Sequence, residues 1–135
     1  VLALVVILDT NILIVPAQFG VDVFSEAERV LERNLDFVVL RSVIDELQRK
    51  LADASRTEGH MFKIALDLTK RCRVIELKEH DQNGSVDDMI LKYALTSNGV
   101  IATNDKELKG RALSQRTPVL FLRGKKQLQL TGYIV

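Results

Sequence analysis

The stretch from Leu2 to Leu8 is aliphatic at every position and rich in β-branched residues, and it ends abruptly in Asp9-Thr10-Asn11. A strand with one wet face alternates apolar and polar residues. A strand that is apolar throughout is buried on both faces, which puts it in the middle of a parallel sheet covered by helices. Ligands of open α/β sheets bind beyond the carboxyl ends of the strands, so Asp9 stands where chemistry is expected. An acid closing a buried strand has no evident helix of its own to cap.

The rest of the chain fits the same frame. Pro16 disfavours helix at Val15, so any helix after Asn11 is expected to be short. Ser25-Glu26-Ala27-Glu28 reads as a capping box opening a helix to about Arg33. Phe37-Val38-Val39-Leu40 is a second strand. Ser42 reads as an N-cap for a helix carrying Val43, Ile44, Leu47 and Leu51 at helical spacing. A further helix is expected over His60 to Arg71, and a third strand over Val74 to Leu77. Ser85 with Asp88 predicts a capping box and a helix stopped by Asn98-Gly99. Val100 to Thr103 is a fourth strand, followed by a basic helix to about Ser114. Pro118 to Leu122 is a fifth strand, Arg123 to Lys126 a basic loop, and Leu128 to Val135 an edge strand or an ordered tail. Strands alternating with helices predict an α/β fold: a three-layer α/β/α sandwich around a central parallel sheet of about five strands. At 135 residues the chain, 1–135, is expected to be a single domain.

Charge is unevenly spread. From Val100 to Val135 seven basic residues face two acidic ones, so this third carries +5 and the remainder −4 of a formal +1. A basic end on a more acidic body suits a protein that approaches phosphates and holds a cation elsewhere. Cys72 is the only cysteine, which rules out an internal disulfide and a cysteine-rich zinc site. The longest apolar run is far shorter than the ~20 residues a bilayer requires, and it lacks the flanks of a secretory signal. A cytoplasmic protein with no membrane partner is expected.

Four acidic loci recur where loops meet elements: Asp9, Glu46, the pair Asp87 and Asp88, and Asp105. In a parallel α/β sheet all of them project toward the carboxyl edge. Carboxylates collected there repel one another, and a divalent cation relieves the repulsion. Mg²⁺ and Mn²⁺ take oxygen ligands and suit phosphodiester hydrolysis without a protein nucleophile. First-turn acids are also favoured by the helix dipole, and Asp88 reads better as a cap than as a ligand. Thr10, Asn11, Thr103 and Asn104 are placed to orient the acids, although Asn11 also suits a turn. Other chemistries fit poorly. A phosphoaspartate phosphatase needs an Asp where Asn11 stands, a phospho-receiver needs one where Leu77-Lys78 stands, and no glycine-rich phosphate loop is present. His60, His80 and Cys72 have no catalytic neighbours in sequence.

Leu8-Asp9-Thr10-Asn11, Val43-Ile44-Asp45-Glu46-Leu47, Asp87 to Ala94 and Thr103-Asn104-Asp105 resemble, in order, the four acidic motifs of PIN domains. With Gln18-Phe19-Gly20-Val21-Asp22 and Leu122-Arg123-Gly124-Lys125, the chain is most similar to stand-alone archaeal-type PIN proteins, relatives of PIN domains in ribosomal-RNA processing factors. The resemblance implies an endoribonuclease dependent on Mg²⁺ or Mn²⁺ that cuts single-stranded RNA. It matches Asp9, Glu46, Asp87 and Asp105 to the metal-holding and catalytic acids, with Thr10, Asn11, Asp88, Thr103 and Asn104 as supports. Lys106, Lys109, Arg111, Lys125 and Lys126 are expected to track the RNA backbone. Homodimers, antitoxin partners and ribosome-assembly partners occur in such proteins. The competing expectations are a non-catalytic RNA-binding or assembly module and a ribonuclease toxin of a toxin–antitoxin pair.

Overall fold

A computed structural model describes residues 3–134. Leu2 and Val135, included in the expected first strand and last segment, lie outside the described residues. The elements in order are β1 (Leu4–Leu8), α1 (Thr10–Phe19), α2 (Val23–Leu31), β2 (Leu35–Leu40), α3 (Arg41–Asp53), α4 (Arg56–Leu68), β3 (Arg73–Ile75), α5 (Val86–Ser97), β4 (Val100–Ala102), α6 (Lys106–Ser114), β5 (Val119–Arg123) and β6 (Gln127–Thr131). The strands form one sheet in the order β3-β2-β1-β4-β5-β6. The first five strands are mutually parallel, and β6 pairs antiparallel with β5. The sheet therefore has six strands rather than about five, and it is mixed. Gly124 and Lys125, both at positive φ, turn β5 into β6 in a tight hairpin.

The order reverses direction at β1. The chain first steps outward from β1 to β2 and β3, then returns to β4 on the other side. Right-handed crossovers of opposite sense put their helices on opposite faces. Accordingly α1 to α4 pack on one another, and α5 packs with α6. Val6, Ile7 and Leu8 of β1, Val38, Val39 and Leu40 of β2, and Val100 and Ile101 of β4 are essentially inaccessible between the two helical layers. This is the environment that the unbroken apolar run of β1 requires. No helix among the described residues is long and apolar enough to cross a membrane.

Local rules yield to packing at several boundaries. Pro16 lies inside α1, which runs its full ten residues to Phe19 and ends at Gly20 in the left-handed region. An interior proline costs ~3 kcal/mol, but burying Ile12, Leu13 and Val15 returns roughly 1.5–3 kcal/mol each. The cap of α2 is Asp22, whose carboxylate accepts from the backbone N–H groups of Phe24 and Ser25, and not Ser25 itself. β2 passes into α3 without a loop, so Leu40 occupies the cap position and Ser42 falls inside the first turn. Burial of Val43, Ile44 and Leu47 sets that phase. α4 starts at Arg56 on a Ser55 cap, earlier than expected, and a 3₁₀ turn over Thr69–Arg71 follows it.

β6 is an edge strand, and α2 covers part of that edge. The Glu26 carboxylate accepts from the Leu128 N–H at 2.9 Å, and Arg29 donates to the Leu128 carbonyl at 3.2 Å. Glu26 also holds Arg29 at 2.8 Å. Replacing Glu26 by Ala removes the partner of a largely buried N–H and is expected to cost about 1–2 kcal/mol in urea unfolding. Glu26→Gln, which retains an acceptor, should lose less than half of that.

Candidate active site

β1 and β4 are the neighbours between which the strand order reverses, so their carboxyl ends flank the crevice where ligands of such sheets bind. Asp9 closes β1 there and is only 4% exposed. Its Oδ1 accepts from the Ile12 N–H at 2.8 Å, which makes it the N-cap of α1. The expectation that Asp9 had no helix to cap is thus corrected. α1 begins at the very next residue, because Pro16 does not stop it.

The second oxygen, Oδ2, accepts from the Thr103 hydroxyl at the end of β4. Thr103 is itself fully buried, and its Oγ1 accepts in turn from the Asp105 N–H at 3.0 Å. One hydroxyl therefore ties the acid ending β1 to the loop carrying the acid after β4. Asp105 Oδ1 accepts from the Leu108 N–H at 2.8 Å and caps α6. Asn104 anchors the same loop sideways, its Oδ1 accepting from the Leu122 N–H at 2.8 Å.

Asp87 and Asp88 share the first turn of α5 but differ in their ties. Asp88 completes the capping box with Ser85, and it receives the Arg111 guanidinium at 2.6 Å. Both contacts hold its carboxyl below the usual range. Asp87 is half-buried and makes no hydrogen bond or ion pair among the described residues. Its carboxyl is raised by burial and by the charge of Asp105, with Arg111 opposing and Glu46 adding to the rise. Asp9 is pushed up to about 7, chiefly by burial; its two hydrogen bonds oppose the rise, and the charges of Asp87 and Asp105 add to it. Glu46 is half-buried on α3, with the Lys50 ammonium at 3.8 Å. The four loci thus feel one another electrostatically, although no three of them form a ready-made ligand cluster among the described residues.

A family model described as a PIN like domain matches residues 6–125. The chain belongs to this PIN-like family. It is 31% identical over 129 residues to Ribonuclease VapC4 of Methanocaldococcus jannaschii, covering 93% of this chain and 95% of that protein. Its fold is similar to that of the PIN domain endonuclease Utp24, with a TM-score of 0.76 and 24% identity over 96% of this chain and 92% of the other. A chain of VapBC-1 from nontypeable Haemophilus influenzae aligns with a TM-score of 0.60 at 21% identity, over 82% of this chain and 94% of its own length.

Within this PIN-like domain, the remaining residues singled out in the sequence are less uniform. Thr10 is buried and Asn11 half-buried in the first turn of α1, and neither bonds to Asp9 among the described residues. Asn11 is helical, not a turn residue. Lys106 and Lys126 are exposed. The Lys109 ammonium sits 3.5 Å from the centre of the Phe121 ring, and Lys125 lies 5.6 Å from that of Phe19. Arg111 is held by Asp88, a tie that residue spacing alone did not signal. Thr103 is the residue whose role sequence reasoning understated: only the pairing of β1 with β4 brings it to Asp9. Burial pushes the Cys72 thiol up to about 12, with Arg71 opposing, which disfavours its thiolate.

The Asp9 shift has a measurable sign. Below about pH 4 both folded and unfolded states hold the proton. Between that pH and about 7 the folded protein keeps it longer, so Asp9 costs stability as pH rises, on the order of 4 kcal/mol in full. In EDTA, the urea midpoint of the parent should therefore fall from pH 4 to 7 relative to that of Asp9→Asn. Parallel pH profiles would contradict the assigned burial.

Proposed function

We propose that this protein is a divalent-metal-dependent endoribonuclease that hydrolyses phosphodiester bonds in single-stranded RNA. The carrying observation is the buried Asp9 carboxyl at the sheet's switch point, raised by burial and by its acidic neighbours. Such a group is unfavourable as an isolated anion and favourable beside a cation. The relative named as a ribonuclease supports RNA as the substrate.

The donor set fits Mg²⁺ or Mn²⁺: it is all carboxylate oxygen, and burial together with mutual repulsion raises the carboxyls of Asp9 and Asp87. Asp9, Asp87 and Asp105 would hold the ion, with Glu46 as a further ligand or as the base. A bound ion supplies Lewis-acid stabilisation of charge growing on the phosphate. The chain's own residues do the rest. Thr103 fixes the orientation of Asp9 and the position of the Asp105 backbone. Asp88 is occupied by Ser85 and Arg111, which leaves Asp87 as the free acid of that turn. Glu46, only loosely tied to Lys50, is available to accept a proton from attacking water. Lys106, Lys109, Arg111, Lys125 and Lys126 lie on the basic C-terminal third and meet the backbone phosphates. With no Trp and 5% aromatics, sequence preference is modest.

A toxin held by an antitoxin is the second reading. It shares this chemistry and is favoured by the likeness to the VapC4 and VapBC proteins. A small DNA-binding reading frame beside the gene would support it, and a role in RNA processing is the expectation without one.

The test is cleavage of single-stranded RNA in Mn²⁺. Removing a residue that only supports a metal ligand typically costs 10–100-fold, so Asp9→Asn should lose at least about a hundredfold in rate. EDTA should abolish cleavage. Mn²⁺ should raise the melting temperature of the parent in a concentration-dependent way and leave that of Asp9→Asn nearly unmoved. Undiminished cleavage by Asp9→Asn would sink the proposal.

A further inference from the structure

Phe19 closes α1 and is one of three large apolar side chains left exposed among the described residues, at 39%. The other two, Leu95 and Tyr133, lie around a cavity shared with Gly99 and Pro118, at the amino ends of β4 and β5 and so across the sheet from the acids. The Lys125 ammonium lies over the Phe19 ring, 5.6 Å from its centre. Lys125 reaches the ring from the β5–β6 turn, where its φ is 57°. That conformation crowds a Cβ, and Gly, Asn or Asp usually fills such a turn. Backbone strain of this kind clusters at ligand clamps.

We propose that Phe19 is a base-stacking platform: one base of the single-stranded RNA lies on its ring, and Lys125 meets the adjoining phosphate. The inference rests on the ribonuclease reading above and adds a base contact to that same site. Two connections tie the platform to the acids. α1 starts on its Asp9 cap and ends at Phe19, and its ten residues span ~15 Å. Asn104, next to Asp105, accepts from the Leu122 N–H at 2.8 Å, and β5 runs on from there into the turn that carries Lys125. The pairing register sets Leu8, Ala102 and Leu120 level across β1, β4 and β5. Lys125 therefore lies beyond the carboxyl end of the sheet, two strand spacings or ~10 Å to the side of β1. A strand crossing the acids reaches Phe19 within a few nucleotides.

Size and charge select a base. A stable protein interface buries roughly 800 Å² of each partner around an apolar centre, and no other large apolar side chain is exposed beside Phe19 among the described residues. One ring matches one base, and every base has a face to stack. The surroundings are cationic: after Glu107 the chain carries six Lys and Arg and no Asp or Glu, and Arg123, Lys125 and Lys126 cluster at the turn. The acids that follow Phe19 in the chain are occupied, Asp22 by the Phe24 and Ser25 N–H groups and Glu26 by Arg29 and the Leu128 N–H. The Lys125 contact lies near the ~6 Å limit of a cation–π pair, so it yields readily to a base. Phe121 offers no such place, because it is half-buried and the Lys109 ammonium sits 3.5 Å from its centre.

The chain has no Trp, so Phe19→Trp puts a single fluorophore on the platform, and Tyr133→Trp puts one on the opposite edge as a control. Each is made in the Asp9→Asn protein and titrated with a single-stranded RNA hexamer and with an abasic hexamer of the same backbone. Binding is followed in parallel by the anisotropy of a dye on the RNA. The base-bearing strand should quench the Phe19→Trp emission, the abasic strand should not, and neither should quench the Tyr133→Trp emission. Phe19→Ala should weaken binding of the base-bearing hexamer about tenfold and leave that of the abasic hexamer unchanged. Bound RNA with unquenched Phe19→Trp emission, equal quenching by the abasic strand, or equal weakening of both hexamers by Phe19→Ala overturns the platform and leaves the ribonuclease reading intact. A blue shift of the Phe19→Trp emission that grows with protein concentration in the absence of RNA makes a second copy the occupant and also overturns the platform. Absence of RNA binding, together with absence of cleavage by the parent protein, overturns both.

Discussion

A carboxylate buried at the end of the central strand sets the terms for everything around it. Asp9 is desolvated by the two helical layers that cover β1, and that burial is the chief cause of its raised pKa. It is tolerated because each oxygen has a donor: a backbone N–H of α1 on one side and the Thr103 hydroxyl on the other. The Thr103 contact exists only because β4 lies beside β1, where the strand order reverses. The crevice, the acid and the hydroxyl that orients it are therefore consequences of one topological fact.

The acids around the crevice divide by what they already do. Asp9 and Asp105 cap α1 and α6 with one oxygen each, which fixes how those helices leave the sheet. Asp88 spends both its oxygens, on Ser85 and on Arg111. Asp87, one position earlier, has no such tie, and its raised carboxyl reflects burial and the nearby negative charge. Capping does not use up every acid: Asp105 caps α6 through Oδ1, and its second oxygen has no donor among the described residues.

The same logic links the outer parts of the fold. β2 runs straight into α3, which leaves the Ser42 hydroxyl buried without a partner among the described residues and puts Glu46 in the second turn. On the opposite edge, Glu26 and Arg29 of α2 satisfy the backbone of Leu128 and close part of an otherwise open strand. Ser25 to Glu28 has the pattern of a capping box, but Asp22 provides the cap, and Glu26 is used for a contact 102 residues away.

By itself the sequence determined the layer architecture, the parallel core of the sheet and the acidic loci that converge on its carboxyl edge. Apolar periodicity and abrupt polar ends report burial and strand termini directly, and the ordered acidic motifs pointed to the PIN-like family. The boundaries of α1 through α4 were not legible, because proline and cap preferences of one to three kcal/mol are overridden when several buried aliphatics demand a different phase. The sequence does not distinguish the antiparallel sixth strand from an ordered tail, since an edge strand carries a weak pattern. Only the tertiary structure decided that Thr103 orients Asp9, that Arg111 belongs to Asp88, and that Lys125 lies over the Phe19 ring. These are contacts between elements distant in sequence, and no local pattern encodes a partner that arrives only when the sheet is assembled.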